Sequence, residues 1–236
     1  VASITQNYGT SLVMPSNPEK TGYTFKGWHT DEECTEAYSF PSTMPAGNIT
    51  LYAKWEVNQY TITINTVGGS DISPITQNYN TAITQPTDPT KLGHSFGGWY
   101  SDSSYTTTYS FPSTMPATNV TVYAKWNVNS YTISFEEKGG STVNNITQNY
   151  GTAISVPANP TLTGYTFKGW HTDVECTEAY EFPSTMPAGN ITLYAKWEIN
   201  IYPVSCTSNG GDAVEAMTLN YNTAITQPTD PTKLGH

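Results

Sequence analysis

His29 stands two residues before Asp31, with Cys34 close behind, and the same trio returns further along the chain as His171, Asp173 and Cys176. Imidazole, carboxylate and thiolate are zinc ligands, but a zinc centre needs three or four of them converging. In the intervening copy of this segment Tyr100 and Tyr105 replace the histidine and the cysteine. The His-x-Asp step is therefore read as a surface hydrogen bond at a strand end, and neither a metal nor a cofactor is expected. Glu32, Glu33 and Glu36 lack the Asp-x-Asp-x-Asp-Gly spacing of a calcium loop and read as a solvated acidic loop. Nothing marks out two carboxylates flanking a cleft, as glycoside hydrolysis requires. No catalytic constellation is found, and the chain is expected not to be an enzyme.

Other side chains suggest modification or binding. Asn48, Asn119 and Asn190 open Asn-x-Thr sequons at one repeat position, and Asn145 opens a fourth. They are candidate glycosylation sites, although a turn asparagine followed by a strand threonine produces the same triplet. Cys34 and Cys176 are candidate inter-chain thiols, whereas Cys206 aligns with Ile64 and Phe135 and is expected to be a buried free thiol. Lys54, Lys125 and Lys196 read as strand-surface lysines rather than amide cross-links. Tyr52, Tyr123 and Tyr194 form the candidate ligand-facing ladder, suited to weak multivalent binding. The tryptophans recur at fixed places and are assigned to the core.

All these groups recur because the chain repeats. Tyr8, Tyr79, Tyr150 and Tyr221 are evenly spaced with a period of seventy-one, and the sequence around them stays in register. Each complete copy runs through a Pro-x-x-Pro step, a Gly-aromatic-x-Phe-x-Gly-Trp segment, an FPSTMPA-type loop and a closing LYAKW or VYAKW. Copies one and three differ at nine of the 52 positions from Ile4 to Trp55, and Tyr79–His94 recurs unchanged as Tyr221–His236, so the larger unit is an alternating pair of repeats. The expected organisation is residues 1–57 as repeat 1 without its first strand, 58–128 as repeat 2, 129–199 as repeat 3 and 200–236 as a partial repeat 4. A stretch of a longer array is the simplest reading.

Within a repeat, Tyr60, Ile62 and Ile64 alternate with Thr61 and Thr63, the period of a strand with one buried face. Val67-Gly68-Gly69-Ser70 can turn the chain back, and Ile75–Tyr79 supplies the returning strand. Pro86 and Pro89 force an extended crossing. The Gly27-Trp28 step suits a bulge. Phe40–Ala46, with two prolines, allows one helical turn at most, and Asn48 starts the last strand. The fold class is thus β-rich α+β with very little helix. Only Glu56-Val57-Asn58-Gln59 separates Trp55 from Tyr60, too short for a flexible linker. An elongated, semi-rigid array advancing roughly 30 Å per repeat is expected, from strands of about nine residues.

Nineteen acids against nine lysines give a net charge of −10, which argues against nucleic acid or an anionic membrane as a partner. There is no apolar run of about 18 or more residues, so no membrane span is expected within this stretch. Seventeen tyrosines among few charges suit an extracellular, cell-surface or secreted β protein.

With Gly22–Trp55 written out as GYTFKGWHTDEECTEAYSFPSTMPAGNITLYAKW, the chain closely resembles the Listeria-Bacteroides repeat, the B-repeat of internalin-type surface proteins. The resemblance covers essentially the whole chain and rests on Gly-Gly after the first strand, Pro-x-x-Pro, GYTFKGW and LYAKW in order. It implies tandem β-grasp-like modules on secreted or wall-attached proteins, with no catalytic residues and no settled ligand. The function expected is that of a surface stalk, adhesin shaft or fibre subunit; the alternative is a multivalent glycan- or protein-binding adhesion module. Expected partners are accordingly other copies in a fibre, or host or cell-surface glycans or proteins.

Overall fold

A computed structural model describes residues 2–233; Val1 and Leu234–His236, including the second copy of His94, lie outside the described residues. Thirteen strands lie among the described residues, and none of those residues is helical. The chain divides into two compact units, residues 1–91 with 95–127, and residues 92–94 with 128–236.

The first unit holds two sheets. One consists of β1 (Tyr23–His29), β2 (Ala37–Tyr38) and β3 (Tyr52–Val57), in the order β2-β1-β3. The other consists of β4 (Gln59–Asn65), β5 (Ile75–Asn78), β6 (His94–Tyr100) and β7 (Val120–Val128), in the order β5-β4-β7-β6. β4 and β5 form the expected hairpin, with Tyr60 opposite Gln77 and Ile62 opposite Ile75. Its turn places Val67 and Gly68 at φ 50° and 77°. Gly69 serves a different end: a Cβ there would stand 2.4 Å from the Trp126 ring, whose Nε1 donates to the Thr66 carbonyl at 2.8 Å. β7 returns parallel to β4, pairing Ile62 with Val120 and Ile64 with Val122. The expected bulge is present, since the register between β1 and β3 shifts between Phe25 and Trp28, with Gly27 at φ 113°.

The second unit repeats this plan. β8 (Ser130–Glu136), β9 (Ile146–Asn149), β10 (Tyr165–His171) and β11 (Ile191–Ile199) take the order β10-β11-β8-β9, with β8 and β11 parallel. β12 (Ile201–Val204) and β13 (Met217–Asn220) form a two-stranded sheet.

The core of repeat 2 gathers Ile62, Ile64, Trp99, Met115, Val122 and Ala124; that of repeat 3 gathers Ile133, Phe135, Trp170, Met186, Leu193 and Ala195. The methionines come from the proline-flanked loop for which the sequence allows a helical turn. No helix forms there, so the α+β expectation is corrected to β alone. Its two prolines deny the regular ladder of backbone bonds a helix needs, and the loop instead zips to the segment after the repeat tyrosine: Asn80 N donates to Met115 O at 2.9 Å and Met115 N to Thr81 O at 2.8 Å. The unbranched thioethers of Met115 and Met186 are thereby buried in the two cores.

Repeat 1 shows what the first strand does. β7 and β11 begin at Val120 and Ile191, but β3 begins only at Tyr52, three residues later than the aligned Ile49; among the described residues Ile49–Leu51 have no parallel neighbour such as β4 gives β7. A cavity of about 390 Å³ is lined by Trp28, Tyr38, Phe40, Met44 and Leu51, whose counterparts Trp99, Tyr109, Phe111, Met115 and Val122 pack with Ile62 and Ile64 of β4 in repeat 2. Cys206 is corrected for a related reason. It is exposed rather than buried: its counterparts Ile64 and Phe135 are covered by the parallel β7 and β11, and among the described residues no such strand lies beside β12.

Candidate functional site

The most elaborated polar geometry is the short segment joining one repeat to the next. Between β3 and β4, Asn58 uses its backbone and its side chain together. Its N–H donates to the Gly22 carbonyl at 2.9 Å and its carbonyl accepts from Tyr79 N at 2.8 Å. Its Oδ1 accepts from Thr24 Oγ1 at 2.5 Å and its Nδ2 reaches the Tyr60 hydroxyl at 3.4 Å. The ring of Tyr79 packs on Gly22 and meets Tyr23 edge-on at 6.0 Å. Gly22 has φ +78°, and a Cβ on it would sit 2.1 Å from the Tyr79 ring. Glycine is required twice over here, for the left-handed backbone and for the close approach.

The second unit contains the same node twice. Asn129 N donates to Gly93 O at 2.9 Å and Asn129 O accepts from Tyr150 N at 2.8 Å; a Cβ on Gly93 would meet the Tyr150 ring at 2.1 Å. Asn200 joins Gly164 and Tyr221 at 2.8 and 2.9 Å and accepts from Thr166 Oγ1 at 2.6 Å. The sequence displays the short linker and the repeat tyrosine without showing that they form one node. The visible signal is an asparagine at the same place in WEVNQY, WNVNSY and WEINIY.

The chemistry-bearing residues are placed as follows. His29 and His171 are not at the surface: each is 5% exposed, and its Nδ1 is buried without a hydrogen-bond partner. His29 lies on the middle strand of its sheet, between Ala37 and Tyr52, which explains why the surface His–Asp bond does not form. Asp31 turns instead to its own loop, accepting from Thr35 N at 2.8 Å, Glu36 N at 2.8 Å and Thr35 Oγ1 at 2.8 Å. Among the described residues no group of three or more His, Cys, Asp or Glu is arranged to hold a metal.

These amide donors, Thr35 first and then Glu36, lower the Asp31 carboxyl to about 2. Thr106 and Thr107 lower Asp102, and Glu178 and Thr177 lower Asp173. A carboxyl with a depressed native pKa stabilises the folded loop above the unfolded value of about 3.9, and that contribution is lost as pH falls through the native value. The Thr35 amide is therefore expected to keep its hydrogen-bonded shift and slow exchange down to about pH 4 and to lose them around pH 2, as followed by an NMR titration.

Two of the sequon asparagines have a structural task. Asn119 Oδ1 accepts from Thr61 N at 2.8 Å and Asn190 Oδ1 from Thr132 N at 2.9 Å, just where the parallel strand pair begins. Asn145 Oδ1 accepts from Phe135 N at 3.4 Å. Asn119→Ala is expected to cost about 1 kcal/mol, the net worth of one such bond, whereas Asn119→Asp keeps the acceptor and is expected to cost less; urea unfolding midpoints measure both. Tyr52, Tyr123 and Tyr194 are half-buried. Cys34 is half-buried and Cys176 buried. Lys54 and Lys196 donate to the carbonyls of Cys34 and Cys176, each at 3.1 Å.

The sequence model of the Listeria-Bacteroides repeat domain matches residues 1–54, 60–125, 131–196 and 202–236. A putative Gly-rich membrane protein of Evansella cellulosilytica is 43% identical over 236 residues, all of this chain and 27% of the relative. A putative membrane protein of the same organism is 42% identical over 216 residues, 92% of this chain and 32% of the relative. Internalin H of Listeria monocytogenes is 36% identical over 174 residues, 71% of this chain and 31% of the relative. The chain thus spans a third or less of the length of each. No helix among the described residues is long and apolar enough to cross a membrane.

Proposed function

Because the chain belongs to the Listeria-Bacteroides repeat domain family, we propose that it is a non-enzymatic structural stretch of an extracellular, cell-surface protein: a stalk, adhesin shaft or fibre subunit. The observation that carries this reading is the node of Asn58, Gly22 and Tyr79, made again by Asn129 and Asn200. Asparagine, threonine and tyrosine are used there, within each compact unit, to tie repeat 1 to repeat 2 and repeat 3 to repeat 4. A chain selected for reach needs such coupling, because a repeat of about 70 residues is near the lower limit for folding alone. The order hairpin, last strand, third strand, with the first and last strands parallel, supports reading the module as a β-grasp whose helix is replaced by the methionine loop. The internalin and membrane-protein names of the relatives support the cell surface as its place.

A second reading, multivalent binding of glycans or proteins, is favoured by the partial exposure of Tyr52, Tyr123 and Tyr194 at one repeat position. A glycan array probed with this chain separates the two. The stalk reading expects no signal at any glycan density. Density-dependent binding that is lost on replacing the three tyrosines by alanine would overturn it in favour of adhesion.

A further inference from the structure

We infer that Lys138 and Cys176 form an oxidatively closed cross-link in repeat 3, with one oxygen atom joining the lysine nitrogen to the cysteine sulfur. Lys138 lies in the turn after β8 and Cys176 in the loop after β10. Lys138 Nζ is 3.3 Å from Cys176 Sγ, donates to the Val174 carbonyl, and lies 5.8 Å from the centre of the Tyr194 ring. Three partners thus hold the amine against the sulfur. The thiol is 6% exposed and lies 3.6 Å from the Ala195 carbonyl, so a bulky thiol is held off while a small oxidant can enter. The gap is one that a single bridging atom closes.

Within this chain the pair is seen in repeat 3. Repeat 2 carries Val67 and Tyr105 at the two positions, so both reactive groups are replaced together. This assignment is independent of whether the array serves as a stalk.

After the Lys138 ammonium has passed one proton to solvent, the thiol and the amine each give up one hydrogen, breaking S–H and one N–H bond. Dioxygen accepts four electrons, two from sulfur and two from nitrogen. One of its atoms becomes the S–O–N bridge and the other leaves as water with the two hydrogens. Hydrogen peroxide serves equally, two equivalents being reduced to give the bridge and three waters. Sulfur is thereby diverted from the irreversible sulfinic and sulfonic acids of ordinary overoxidation. A thiol reductant supplying four electrons restores both side chains. The bridge ties the β8–β9 turn to the loop after β10.

The test uses the full chain with Cys34→Ser and Cys206→Ser, treated with dilute hydrogen peroxide, digested and analysed by mass spectrometry. The expected product is a linked peptide pair containing Lys138 and Cys176, heavier than the sum of its parts by one oxygen and lighter by two hydrogens. It reverts with dithiothreitol. Lys138→Arg keeps the charge and the reach, so the linked pair should vanish while a thermal melt shows the repeat still folded. Cys176 recovered as free thiol, as sulfinic acid beside unmodified Lys138, or joined to Lys138 without the oxygen would overturn the inference.

Discussion

Gly22→Ala is expected to destabilise the first unit by about 3 kcal/mol, combining about 1–2 kcal/mol for a left-handed backbone bearing a Cβ with an overpacking cost of similar size. The second contribution arises because the new methyl would lie 2.1 Å from the Tyr79 ring, with Asn58 holding both neighbours in place. Gly27→Ala isolates the first contribution, since Gly27 has φ +113° and a Cβ added there would meet nothing within 4 Å; about 1–2 kcal/mol is expected there. Combining Gly22→Ala with Tyr79→Ala should recover part of the loss, because the clash disappears with the ring. Urea unfolding of the unmodified chain, Gly22→Ala, Tyr79→Ala and the double variant gives the coupling directly. Equal costs for Gly22→Ala and Gly27→Ala would mean that the tyrosine contact is not a constraint.

Ile133→Ala is expected to cost about 3 kcal/mol, within the range for emptying a fully buried aliphatic site. Ile133 is 0% exposed and lies between Ile146 on the hairpin partner and Ile191 on the parallel last strand. Neither neighbour can move into the void without breaking a ladder. Thr132, one residue earlier, faces the other way and shares only a hydroxyl contact of 2.9 Å with Thr147; Thr132→Ala is expected to stay below about 1 kcal/mol. The contrast, read from thermal or urea midpoints, tests whether the first strand of each repeat is its structural centre.

The local chemistry of the repeat is legible in the sequence. Alternation in Tyr60–Ile64 identifies the first strand, the glycine pair its turn, and Gly27 the bulge of the third strand, because each depends on near neighbours in the chain. What escapes depends on distant partners. Alignment with Ile64 and Phe135 points to a buried Cys206, but burial at that position comes from the parallel strand that closes each complete repeat. His29 reads as a surface residue beside Asp31, yet β2 and β3 flank it. Met115 and Met186 lie in loops that look like connectors, and only the pairing with Thr81 and Thr152 turns them into the core. The Asn58 node is hidden for the same reason: its asparagine, glycine and tyrosine belong to three separate elements.

Whether this node fixes one repeat on the next is decided by residual dipolar couplings of amides in β1 and β3 and in β4 and β7, measured on one segmentally labelled chain. Both sets are expected to fit a single alignment tensor, and Gly22→Ala is expected to split them. Two unrelated tensors in the unmodified protein would describe beads on a flexible string and would contradict a coupled array.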